Sequence, residues 1–142
     1  GNVHKLANAL GVSMYALLED QTRGGAEQGR SAAVVRRDQR KTMRFPRENI
    51  VYELLTPDLQ RSLELIRCVM PPGYNTGAVP YQHHGEECAH VLRGRIEVHV
   101  GSESYVLEPG DTITYDAGVP HWWRNAGDEE GEAIAATVPP SF

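Results

Sequence analysis

The sequence predicts an all-β domain, a sandwich or barrel, behind a short helical front. Three observations carry that expectation. Fourteen glycines and nine prolines punctuate the 142 residues, which favours tight turns and short strands. From Ala32 onward the apolar residues recur in short β-rich runs closed by turn residues, not at helical spacing. Only one stretch, residues 4–19, carries a strong helical pattern.

In that stretch, HKLANALGVSMYALLE, Leu6 and Leu10 share one face, as do Met14 and Leu17-Leu18. Gly11 interrupts the pattern, and Ser13 suits the N-cap of a second short helix. This unit, residues 1–20, is too small to bury its own apolar face. Residues 21–31 read as linker: Gly, Gln, Ser and charge, with no apolar residue larger than Ala. A single domain is expected over 32–142. Its first strands are placed at 33–37, 42–45, 50–55 and 62–70, bounded by Pro46, Pro57-Asp58 and Pro71-Pro72-Gly73. Further strands are expected at 87–92, 95–100, 103–107, 111–115, 120–125 and 131–138, several joined by single turns such as Arg93-Gly94 and Gly101-Ser102.

Charge divides the chain in the same place. Residues 1–47 hold nine Lys and Arg against four Asp and Glu, and residues 48–142 hold five against fifteen. The acidic part repels phosphate, so any contact with nucleic acid belongs to the front. The two cysteines, Cys68 and Cys88, read as buried thiols in a reducing cytoplasm. No secretory segment is present and no apolar run approaches the ~18 residues of a membrane span, so no membrane partner is expected. The chain opens in mid-pattern without an initiating Met, and a fragment of something longer is expected.

Chemistry concentrates between residues 81 and 125. Alternate residues of a strand face one side. Tyr81 and His83 therefore point one way, and Gln82 and His84 the other. Glu87 follows a break at Gly85 and shares a face with Ala89 and Val91, while His121 shares one with Trp123. If these strands are neighbours, His83, Glu87 and His121 converge with Tyr81 on one inner surface. Two imidazoles and a carboxylate suit a divalent ion with open coordination positions; Zn, Fe, Mn or Ni all match. The alternative is an organic ligand bound directly by the same side chains. Trp123 is a candidate pocket wall. Arg67, between Leu65 and Val69, is a candidate clamp for a ligand carboxylate inside the barrel, with a strand-surface ion pair as its alternative. His84, His90 and His99 read as rim or strand-face residues.

Two spacings in this region carry a resemblance. His83, three residues, Glu87, six residues and Gly94 form one. Gly110, five residues, Asp116-Ala117-Gly118, two residues, His121, three residues and Asn125 form the other. From about Gly73 to Phe142 the chain thus resembles the cupin family, which implies a jelly-roll barrel. Its first motif begins His-x-His, and here Tyr81 stands in place of the first histidine. The second motif carries proline where this chain has Asp116. The resemblance implies metal ligands at His83, Glu87 and His121, with Tyr81 or water in the fourth place. A phenol is a weaker ligand than imidazole, because its pKa of about 10 must be lowered by the ion.

The front adds a second resemblance. LANALGVSMYALLED is similar to the later helices of the lambda-repressor-type (XRE) helix-turn-helix family, and the closing TVPPSF is similar to the ending of cupin halves joined to it. That architecture implies a bacterial transcriptional regulator: residues 1–20 as the end of a truncated DNA-binding bundle, 21–31 as linker and 32–142 as a ligand-sensing cupin domain. It further implies DNA as a partner through a recognition helix before residue 1, a small-molecule effector and a homodimer. The rival expectation is a small metal-dependent cupin enzyme: a dioxygenase, isomerase or lyase.

Overall fold

The computed structural model describes residues 31–45 and 49–141. The expected helices over 1–20 and nearly all of the linker lie outside the described residues. A short 3-10 turn at Arg37–Gln39 precedes nine strands: β1 (Lys41–Phe45), β2 (Ile50–Leu54), β3 (Glu64–Met70), β4 (Glu86–Arg93), β5 (Ile96–Val100), β6 (Glu103–Leu107), β7 (Thr112–Asp116), β8 (His121–Asn125) and β9 (Gly131–Val138). Every pairing is antiparallel. Six strands form one sheet in the order β1-β2-β3-β9-β4-β7, and three form the other in the order β6-β5-β8.

The expected strand at 33–37 does not form. Val34 is 69% exposed, and the segment ends in the 3-10 turn instead. A strand is stable only where a neighbour takes its backbone groups, and among the described residues β1 ends the sheet and pairs with β2 alone.

Period-two patterning builds the core. β3 and β8 alternate buried and half-buried residues along their whole lengths, β9 along all but its last residue. The buried side chains of the two sheets face each other, with Ile96 and Val98 on β5 excluded from solvent against Met70, Val91 and Trp123 from the other strands. Each such side chain contributes about 1.5–3 kcal/mol by leaving water. The inner face is uneven in size. Ala89 on β4 lies opposite Ala135 on β9, and Val91 opposite Ala133, so small residues line the middle of the large sheet. Bulk comes instead from Tyr52, Tyr74, Tyr115 and Trp123. Gly94, the last residue of the first spacing, closes the β4–β5 turn at φ +79°; a Cβ there would meet the Gly131 Cα at 2.8 Å.

Candidate functional site

The segment before β4 does not join a sheet as a full strand. It is stitched to the turn that precedes β8. The Tyr81 N–H donates to the His121 carbonyl at 2.7 Å, and the His121 N–H returns a bond to the Tyr81 carbonyl at 2.9 Å. Two residues on, the His83 N–H donates to the Ala117 carbonyl at 3.0 Å, and the Ala117 N–H to the Gly85 carbonyl at 2.9 Å. These bonds fix Tyr81 and His83 beside His121, although about forty residues of chain separate them. Gly85 then allows the chain to turn into β4: its φ is +112°, and a Cβ would sit 2.1 Å from the Val138 carbonyl oxygen.

Three ligating side chains meet here. The Nε2 of His83 lies 3.4 Å from Glu87 Oε2, and the Nε2 of His121 lies 3.8 Å from the same oxygen. One donor atom from each of the three falls within 4.8 Å of the others. The imidazoles meet edge to face with centroids 5.2 Å apart. Tyr81 stacks obliquely at 6.2 Å from the His121 ring.

The protonation pattern suits a cation. The His121 Nδ1–H donates to the Val119 carbonyl at 2.8 Å, which leaves the Nε2 lone pair facing Glu87. Burial pulls the His121 pKa below the ordinary imidazole value; Val119 and Glu87 oppose this only in part, and His83 adds to it. For His83 burial also pulls downward, but the hydrogen bond and charge of Glu87 outweigh it, so its pKa is raised. His83 Nδ1 is buried and has no hydrogen-bond partner among the described residues.

A divalent ion fits this set. Metal–ligand bonds of about 2.0–2.1 Å place neighbouring donors roughly 3.0–3.4 Å apart. The observed 3.4 and 3.8 Å to the Glu87 oxygen are near that spacing, and all three donors lie within 4.8 Å of one another, so an ion would draw them together. The donors are two imidazoles and one carboxylate, the mix that Zn, Fe, Mn and Ni accept. His83, Glu87 and His121 are the residues that would hold the ion.

Around them lies a shell of which the sequence disclosed Trp123 but not Tyr115, Glu64 or Thr137. The Tyr115 hydroxyl donates to Glu87 Oε1 at 2.7 Å and accepts the Trp123 Nε1–H at 3.1 Å. Its ring also packs at 4.9 Å on His121. Burial, reinforced by the Glu87 charge, pushes the Tyr115 phenol far above its ordinary pKa, so it stays a donor. Glu64, 1% exposed, and Thr137, 2% exposed, lie on the same row of the sheet as Glu87. The Tyr52 and Tyr74 hydroxyls share a hydrogen bond of 3.1 Å deeper in the barrel.

Of the residues expected to line a pocket, Tyr81, His83, Glu87, His121 and Trp123 share one inner region. Arg67 does not, and that expectation is corrected. Its Nε donates to Glu132 at 2.7 Å and its Nη1 lies 3.3 Å from Glu53, on the outer face of the large sheet. The inner face of β3 is Glu64, Ile66, Cys68 and Met70. His84 and His90 are exposed, and His99 stacks at 3.5 Å on Trp122 on the outside of the small sheet. Both cysteines are free: Cys68 is buried and Cys88 half-buried.

The family of the cupin domain (Cupin_2) matches residues 66–137. The chain belongs to the Cupin_2 family. The chain is 32% identical over 82 residues to the HTH-type transcriptional regulator PuuR of Escherichia coli, covering 58% of this chain and 44% of that protein. The chain thus spans less than half the length of this regulator. Two solved cupins share the fold. One is the Cupin_2 domain of an XRE family transcriptional regulator from Enterobacter cloacae, with TM-score 0.57, 21% identity, and coverage of 64% of this chain and 97% of that one. The other is a predicted oxalate decarboxylase from Thermotoga maritima, with TM-score 0.63, 23% identity, and coverage of 75% and 98%. No helix among the described residues is long and apolar enough to cross a membrane.

Proposed function

We propose that this cupin is the effector-sensing domain of a DNA-binding transcriptional regulator. The observation that carries the reading is the 82-residue likeness to an HTH-type transcriptional regulator, and the convergence of His83, Glu87 and His121 supplies a place for an effector. On this reading residues 1–20 end a helix-turn-helix bundle, 21–31 are linker and 32–142 receive the effector. The protein works in the cytoplasm as a homodimer whose two bundles read adjacent half-sites about one helical turn apart. A small molecule enters beside Tyr81, His83, Glu87, His121 and Trp123, either directly or onto a divalent ion held by the three ligands. It changes DNA affinity only through its differential affinity for two arrangements of the dimer.

The test uses the full-length regulator on the DNA upstream of its own coding region. Amines and carboxylic acids are screened by thermal shift, then titrated against the protein–DNA complex. A compound that stabilises wild type but not His121→Ala, and that changes DNA affinity, supports sensing. Compounds that stabilise the barrel while DNA affinity stays constant refute it.

A metal-dependent enzyme is the second reading, and the donor set favours it specifically. An ion held there would supply Lewis-acid chemistry toward a substrate oxygen. Glu87 and the two imidazoles would hold it, and the aromatic walls of Tyr81, Tyr115 and Trp123 would limit water. Turnover of a small carboxylic acid by the metal-loaded protein, abolished in His83→Ala and His121→Ala, separates this reading from sensing.

A further inference from the structure

Glu87 has two carboxylate oxygens, and the structure gives them different work. Oε2 faces His83 Nε2 at 3.4 Å and His121 Nε2 at 3.8 Å. Oε1 is turned away and accepts the Tyr115 hydroxyl at 2.7 Å. A single phenol proton therefore sets the rotation of the carboxylate. That proton is itself directed, because the Tyr115 oxygen accepts the Trp123 Nε1–H at 3.1 Å, leaving its own hydrogen for Glu87.

We infer that Tyr115, aimed by Trp123, is the positioning residue that presents Glu87 as a one-oxygen ligand to a divalent cation shared with His83 and His121. The inference rests on the metal-holding capacity of that trio and goes beyond it in naming what orients the carboxylate. The placement is built into the strand register: Tyr115 on β7 is the direct cross-strand partner of Glu87 on β4. Trp123 lies two residues after His121 on β8, so both project from one face of that strand. One β8 residue reaches the shared oxygen through its own imidazole, and the other reaches the opposite oxygen through the phenol. Tyr115 also packs on the His121 ring at 4.9 Å, so it touches two of the three ligands. A carboxylate free to rotate would spread its charge over several directions. Held by one oxygen, it offers the ion a lone pair already aligned.

The experiment is a calorimetric titration of the metal-free protein with Zn2+ alone, paired with the melting temperature of each metal-free variant. Wild type takes up one ion per chain. Tyr115→Phe keeps the ring and loses the hydroxyl, and its Zn2+ affinity falls by about 10–100-fold, the usual cost of removing a partner of a metal ligand. Trp123→Phe leaves Tyr115 in place but undirected, and its affinity falls by a smaller factor. Trp122→Phe, on the outer face, leaves affinity unchanged. Should Tyr115→Phe fail to fold, the Trp123→Phe titration decides alone. Lowered melting temperatures with wild-type affinity in both variants overturn the positioning role and leave the metal site standing. No Zn2+ uptake by wild type overturns both the site and its orientation.

Discussion

Gly85→Ala is expected to damage the protein at the joint between fold and site. Gly85 lies two residues from each of His83 and Glu87, at φ +112°, where a side chain is strained by about 1–2 kcal/mol. Space is a separate problem. The new Cβ would lie 2.1 Å from the Val138 carbonyl oxygen and 2.6 Å from Pro139 Cδ. Backbone and ring cannot give way as a flexible side chain would, so the overlap adds about 1–3 kcal/mol. The total is roughly 2–5 kcal/mol, a large share of the marginal stability of a small domain. Gly110→Ala supplies the control, because Gly110 also has a positive φ, +94°, yet nothing lies within 4 Å of its Cβ position. It should lose only the strain, about 1–2 kcal/mol. Urea unfolding of the three proteins measures both, and a Zn2+ titration shows whether the displaced segment takes His83 and Glu87 out of register. Equal stability losses in the two variants, with Zn2+ affinity intact in Gly85→Ala, would refute the reasoning.

Four further outcomes are expected. Asn125→Ala removes the Nδ2 bonds to the Met70 and Glu129 carbonyls, at 3.1 and 2.8 Å, and the acceptor of the Gly127 N–H at 2.9 Å. At 4% exposure this should cost about 3 kcal/mol in urea unfolding, and a loss below about 1 kcal/mol would contradict it. Arg67→Met should cost no more than about 1 kcal/mol and leave ligand and Zn2+ affinity unchanged, because its partners Glu53 and Glu132 are on the outer face. In metal-free protein, NMR titration should place His83 above and His121 below the ordinary imidazole pKa of about 6.5. The raised His83 pKa gives stabilisation that is complete below about pH 6.5 and fades as pH rises through its folded value. The lowered His121 pKa acts oppositely, with stability complete above about pH 6.5 and lost as pH falls through its folded value. Inverted order of the two imidazoles refutes this assignment. Lastly, Zn2+ affinity should fall as pH drops from 7 to 5, since protons compete for both imidazoles.

What the sequence disclosed follows its periodicities. Nine of the ten expected β segments correspond to strands, because alternation and turn residues are local signals. The segment at 33–37 looked equally β-rich, but composition does not reveal whether a neighbour will accept its backbone. Alternation made the convergence of His83, Glu87 and His121 conditional on their strands being neighbours, and the cupin resemblance implied that they are. Arg67 was left between a clamp inside the barrel and a strand-surface ion pair because both faces of β3 carry apolar residues, Leu65 and Val69 on one and Ile66, Cys68 and Met70 on the other; the ion pair is what forms. Tyr115 was missed for a different reason. Its value depends on lying opposite Glu87, 28 residues away, and that register is a property of the paired strands alone.

The position of the donors bears on how a signal would leave the barrel. Glu87 belongs to the six-stranded sheet and His121 to the three-stranded one, while His83 rides on the segment stitched to the turn before His121. An occupant that touches all three ties the two sheets together at one end. A ligand present at 100 times its Kd, and bound to one arrangement only, contributes about 2.7 kcal/mol per site. Driving a two-state switch from 1:99 to 99:1 takes about 5.5 kcal/mol. One barrel at that concentration falls short by half, and two barrels in a homodimer, about 5.4 kcal/mol together, nearly reach it. If the proposed homodimer is the sensor, it needs both sites filled at that effector concentration, and a heterodimer with one His121→Ala barrel should then respond only in part.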